Sequence, residues 1–139
     1  MTSPAFELQR QIMSVLVNCP ALSPFIEGRV YDSVPASNGK ITAAFPYVSF
    51  GPWDEISNDA DCIDGFDITM QIDVWSRKPG FPECQQITDL VRKALNDETV
   101  NLSDNALVTF NHRTTRIFRD PDGLTSHGAI TFEMFVEQK

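Results

Sequence analysis

Between Phe66 and Val74 apolar and polar residues alternate without a slip: Phe66, Ile68, Met70, Ile72 and Val74 against Asp67, Thr69, Gln71 and Asp73. Side chains point to opposite faces at successive positions of a strand. The pattern therefore predicts a strand over 66–75 with one dry face and one wet face. No helix gathers those five apolar residues on one side. The run ends at Arg77-Lys78-Pro79-Gly80, which has turn chemistry. Its length marks it as a central strand of an antiparallel sheet.

The same alternation returns at 129–137. Ile130, Phe132, Met134 and Val136 share one face, and only Phe135 is out of place on the polar one. Asp120-Pro121-Asp122-Gly123 is a strong turn. It joins this strand to a mixed one over 107–118. Earlier in the chain, Pro46 opens a strand over Tyr47-Val48-Ser49-Phe50, which Gly51-Pro52 is expected to stop. Arg29-Val30-Tyr31 is a short extended piece.

Helical spacing appears twice. Ser3-Pro4 has the form of an N-cap followed by proline at the first helical position. Leu8, Ile12, Val15 and Leu16 follow on one face, and Pro20 limits this helix to 4–17. The second helix spans 82–96, with Cys84, Ile87, Leu90, Val91, Ala94 and Leu95 on its apolar side. Glu83 at its start and Arg92-Lys93 near its end complement the helix dipole. Residues 24–28 read as a connector, 36–44 as an exposed, mobile loop, and 53–65 as an acidic loop between strands. The order α, β, β, β, α, β, β predicts one α+β domain over 1–139, a two-layer arrangement of an antiparallel sheet against two helices.

Charge narrows the partners. The formal net charge is −8, and no basic residue lies between Lys40 and Arg77. A sequence-independent DNA binder needs the opposite sign. No apolar run reaches the roughly 20 residues that span a bilayer. Glu7, Gln9, Arg10 and Gln11 interrupt any apolar core a signal peptide would need, so the chain is expected to stay in the compartment where it is made. Cys19, Cys62 and Cys84 lack metal-like spacing and suit reduced thiols.

The residues offer little catalytic chemistry. No phosphate-binding glycine loop, zinc-protease helix or nucleophile elbow is present. Asp59-Ala60-Asp61-Cys62-Ile63-Asp64-Gly65 has some carboxylates of a calcium loop but lacks its alternate ligands and closing glutamate. No metal and no cofactor is expected. His112 and His127 flank the last turn, where a hairpin would bring them close, yet no third ligand is spaced with them. Asp67 and Asp73 share a strand face roughly 20 Å apart at about 3.3 Å per residue, too far for a glycosidase pair. Each is expected to face solvent or a lumen. Cys84 lies on an apolar stripe, as a buried, inert thiol would.

Arg113, Arg116 and Arg119 form the one basic cluster, with Arg113 and Arg119 expected on one strand face and Arg116 on the other. The acidic loop of a second copy, with Asp59, Asp61 and Asp64, is a charge-matched partner for it. These six are the candidate inter-subunit contacts.

Three segments in order carry a family resemblance: Arg29-Val30-Tyr31-Asp32-Ser33-Val34-Pro35, Phe45-Pro46-Tyr47-Val48-Ser49-Phe50-Gly51 and Asp73-Val74-Trp75-Ser76-Arg77. With the Ala94-Leu95 helix, Arg119-Asp120-Pro121-Asp122-Gly123 and His127-Gly128 they resemble the tail completion family of tailed bacteriophages over nearly the whole chain. The resemblance implies a structural virion protein, not an enzyme, encoded by a phage or prophage and made in the host cytoplasm. It implies a homo-oligomeric ring, a hexamer, that caps the tail tube and joins it to the head connector or stopper protein. DNA would pass through the lumen without specific binding, and no membrane is involved. The acidic loop departs from the family pattern. Two other readings are another neck or head-tail connector component and a small enzyme with a dispersed acidic site. A pocket of converging carboxylates or histidines would mark the enzyme.

Overall fold

The computed structural model describes residues 2–139. Helix α1 (Pro4–Val17) starts where Ser3 Oγ accepts the Phe6 N–H at 3.3 Å, with Pro4 in its first turn. Leu8, Ile12 and Leu16 are fully buried, each stabilising the fold by about 1.5–3 kcal/mol relative to exposure. A one-turn helix α2 (Ser23–Ile26) occupies most of the expected connector, and its Ile26 is buried.

Five strands form the main sheet: β1 (Val30–Tyr31), β4 (Tyr47–Ser57), β5 (Asp64–Ser76), β7 (Ser126–Gln138) and β6 (Ala106–Arg119), in that spatial order. A separate hairpin is made by β2 (Ala36–Ser37) and β3 (Lys40–Ile41). The two-layer α+β arrangement holds, with one addition: β1 pairs with β4 in parallel, so the sheet is mixed. Helix α3 (Pro82–Ala94) packs across β5 and β7. It ends two residues before the expected boundary because Leu95 is already extended.

The β5–β7 ladder runs from Asp64↔Gln138 to Ser76↔Ser126 without a register shift. The even positions of both strands, among them Ile68, Met70, Ile72, Val74, Ile130, Phe132 and Val136, face the helices and are buried. Gly128 lies on this face. A Cβ there would collide with the Thr88 methyl and sit 3.0 Å from Cys84 Sγ, so helix α3 rests directly on the strand. The odd positions form the other face, called here the open face. Phe135 belongs to it and covers Gly65, whose missing side chain leaves room for the ring.

Three loop expectations are corrected. Gly51-Pro52 does not stop the second strand. A bulge between Phe50 and Trp53 absorbs it, on a stretch of β4 that has no outer neighbour because β1 pairs only with Val48 and Ser49. Most of the expected acidic loop is therefore strand. Trp53, Asp54 and Glu55 lie in β4, and only 58–63 form the tip, pinched by an Ala60↔Ile63 bridge. Finally, 36–44 contains the β2–β3 hairpin, turned at Asn38 (φ 52°) and Gly39 (φ 77°). Asn-Gly is the sequence signal for such a turn.

Glu7 is the main polar anchor of the core, only 4% exposed. Its carboxylate accepts the backbone N–H groups of Ser103, Asp104 and Asn105 at 2.8–3.0 Å. The side chains of Ser103 and Asn105 add two further donors. The clamp ties α1 to the loop that feeds β6.

Candidate functional site

Strand β6 is an outer edge of the sheet and carries the arginine cluster. Its pairing with β7 is broken by two bulges, between Leu107 and Thr109 and between His112 and Thr114, and the latter changes which face the residues after it take. Arg113 approaches Glu133 of the open face at 3.4 Å. Arg116 pairs with Ala129, also on the open face, and lies over the Phe118 ring at 5.6 Å. Arg119 pairs with Ser126 and lies over Phe81 beside α3, at 5.3 Å. The expected grouping is thus corrected: Arg113 and Arg116 share a face, and Arg119 is on the other. The extra residue in the bulge shifts the parity by one. Among the described residues neither Arg116 nor Arg119 has a carboxylate within ion-pair distance.

The acidic candidates lie elsewhere. Asp59 and Asp61 are in the exposed tip, and Asp64 opens β5. Asp59 Oδ1 accepts the Gly65 N–H at 3.0 Å. Asp64 is nine positions along β5 from Asp73, whose neighbours across the sheet are Ala129 and then Arg116. At about 3.3 Å per residue, tip and Arg116 are about 30 Å apart in one subunit. The two charged sets therefore do not meet within a chain.

The histidines are not brought together either. His112 pairs with Phe132 on the helix-side face, whereas His127 is on the open face opposite Phe118. Six positions of β6 separate the two sites, roughly 20 Å. His112 bonds Thr115 Oγ1 at 2.8 Å. His127 stacks on Trp75 with ring centres 3.8 Å apart, and its Nε2 is 2.6 Å from Asp73 Oδ1. Gln71 Nε2 donates to the same oxygen at 2.8 Å. Asp73 is accordingly buried, not facing solvent or a lumen as its alternation suggested. Gly51 makes room for it, since a Cβ there would lie 2.6 Å from Asp73 Oδ2. Cys84 is fully buried, and that burial, with Glu83 beside it, raises its thiol pKa to about 11.

One row of aromatic side chains crosses the open face. Tyr47, Trp75, His127 and Phe118 are successive cross-strand neighbours on β4, β5, β7 and β6. Beyond Tyr47, the Tyr31 ring lies edge-on at 5.7 Å. Each cross-strand pair of this kind stabilises a sheet by roughly 0.2–1 kcal/mol. Sequence periodicity placed Trp75 in its strand but did not show the row, because it needs the register of four strands.

At the β4 end of the row is a cleft of about 330 Å³. Tyr47, Trp75 and Ser49 form its floor, and the Trp75 indole N–H donates to Ser49 Oγ at 2.9 Å. Val34, Ile41 and Phe45 also line it. The lining is completed by Arg77 and by Asp120, Asp122 and Thr125 of the β6–β7 turn. Arg77 stacks over Phe45 at 4.1 Å and bonds Thr125 Oγ1 at 3.2 Å. Burial pushes the Tyr47 phenol above its usual pKa; Arg77 opposes this, and Asp120 adds to it.

This architecture has known counterparts. A chain from a structure titled "Virion of native gene transfer agent (GTA) particle" is similar at a TM-score of 0.86 and 24% identity, over 99% of both chains. At that identity the likeness is one of fold. No curated protein matches the chain. The family model described as "Tail completion protein gp17" matches residues 10–137. That span runs from α1 to the end of β7, and the chain belongs to the tail completion protein gp17 family, which makes it a structural protein of the phage tail rather than an enzyme.

Proposed function

We propose that copies of this chain close into a ring of six that caps the tail tube and presents the surface on which the head connector or stopper protein docks. Family membership over residues 10–137 is the observation that carries this reading. A closed ring of identical subunits needs two different complementary surfaces on each copy. The arginine edge of β6 and the acidic tip of the β4–β5 hairpin are such surfaces. In the proposal Arg113, Arg116 and Arg119 of one copy meet Asp59, Asp61 and Asp64 of the next. A net charge of −8 suits a ring through which DNA slides without being gripped. The protein then works in the neck of the virion, after assembly in the host cytoplasm.

Native mass spectrometry of the purified chain with tail tubes tests the stoichiometry, and six copies per tube end is the expected result. The double variant Arg113→Glu, Arg116→Glu should lower the assembled mass by light scattering, most strongly at low salt. Unchanged mass at both low and high salt would remove the charge contact from the proposal. Particles lacking the protein should carry tubes of uncontrolled length without heads.

A further inference from the structure

We propose that the cleft floored by Tyr47 and Trp75 receives an arginine side chain from the tube or connector protein that the subunit abuts. The choice of that neighbour rests on the assembly reading above; the binding chemistry does not.

Two acceptors in the cleft have no partner among the described residues. Asp120 has no side-chain hydrogen bond or ion pair, although it lines the cleft. Its neighbour Asp122 differs, since its carboxylate already holds the Leu124 and Thr125 N–H groups and the Thr125 hydroxyl. Tyr47 is only 3% exposed, and its hydroxyl, which makes no intrachain hydrogen bond, opens onto the cleft rather than being sealed in the core. A carboxylate and a phenol oxygen above two aromatic faces are matched by a group that is cationic and carries only donors. A lysine ammonium shares the charge and the donors, but only the guanidinium adds to its five N–H donors a plane that stacks on rings. The cleft already accommodates one guanidinium this way, with Arg77 over Phe45.

The alternatives fit worse. An apolar side chain would shield Asp120 and the Tyr47 hydroxyl from water without replacing it. An anion would meet Asp120 and Asp122, while Arg77 is already engaged by Thr125 and, at 3.9 Å, by Asp122. The volume of about 330 Å³ is at the small end of ligand sites and suits one long side chain better than a folded segment. The cleft also lies at the end of the long strands away from the acidic tip, on a terminal surface of the subunit.

The test is a titration of the isolated, isotope-labelled chain with N-acetylarginine amide, read at the Trp75 indole N–H by NMR. A saturable shift at Trp75, with Trp53 unmoved, is expected. Asp120→Asn should weaken binding by about tenfold or more, as loss of a charged hydrogen bond does. Tyr47→Phe, which keeps the ring, should weaken it several-fold. N-acetylnorleucine amide and N-acetylglutamate amide should leave Trp75 unmoved. An equal response to the norleucine probe, or undiminished arginine binding by Asp120→Asn with an otherwise unchanged spectrum, would overturn the proposal. So would a Trp75 shift that depends on protein concentration and disappears in Arg116→Ala, because the occupant would then be a second copy. Ring mass is measured separately, so loss of the six-fold ring with arginine binding intact would count against the assembly reading alone.

Discussion

At the scale of single residues, Glu7 shows how a charge can serve a core. Burial alone would push its carboxyl pKa up, but the backbone N–H groups of Asp104 and Ser103 and the side chains of Asn105 and Ser103 outweigh that and hold it below its usual value. A depressed folded pKa means stability that is present above the unfolded value and is lost as pH falls through the folded one. Glu7→Gln should cost about 2 kcal/mol in urea unfolding at neutral pH. It should also flatten the fall in stability on acidification below the ordinary glutamate range. The thiols give a second expectation. Cys62 in the exposed tip should react quickly with a disulfide reagent, and Cys84 only when the protein unfolds, because it is buried and its pKa is raised. Glu7 was not recognisable as a buried anchor from the sequence, where it stands out only as one of the polar residues that interrupt the apolar start of the chain. Its donors come from residues 103–105, almost a hundred positions away. Asp73 was hidden for a similar reason: alternation assigns it to the wet face, and only His127, Gln71 and Gly51 make it a buried position.

Among elements, the long regular ones were legible. Alternation in β5 and β7 and the apolar stripes of α1 and α3 need no tertiary information, because one face of each must be dry. What was missed lies at bulges. The extra residues at Phe50/Trp53, Leu107/Thr109 and His112/Thr114 each reverse the parity relative to the stretch before, so a correct strand assignment still put Arg113 and Arg119 on the wrong relative faces. The acidic segment was misread because Pro52 is a stop signal in an inner strand and is tolerated at a free edge. The contact of α3 with β7 gives the prediction at this scale. Gly128→Ala forces a methyl against Thr88 and Cys84, and should lower stability by about 1–3 kcal/mol in thermal or urea unfolding. The companion variant Gly128→Ala, Thr88→Ser should recover part of the loss, since it removes the colliding methyl.

For the whole molecule, fold class and family could both be read from the chain, the family from short segments spread in order along it. The aromatic row and the cleft could not, because they depend on pairings among β4, β5, β7 and β6 that span residues 47 to 127. The unbroken ladder between β5 and β7 has a consequence for such a part. Thirteen paired positions, with a hydrogen-bonded neighbour on each side for most of their length, make a stiff strut about 40 Å long. One end holds the cleft and the other the acidic tip, so the strut sets the spacing between whatever grips each end. The subunit would then act as a molecular gauge, its height set by strand length alone.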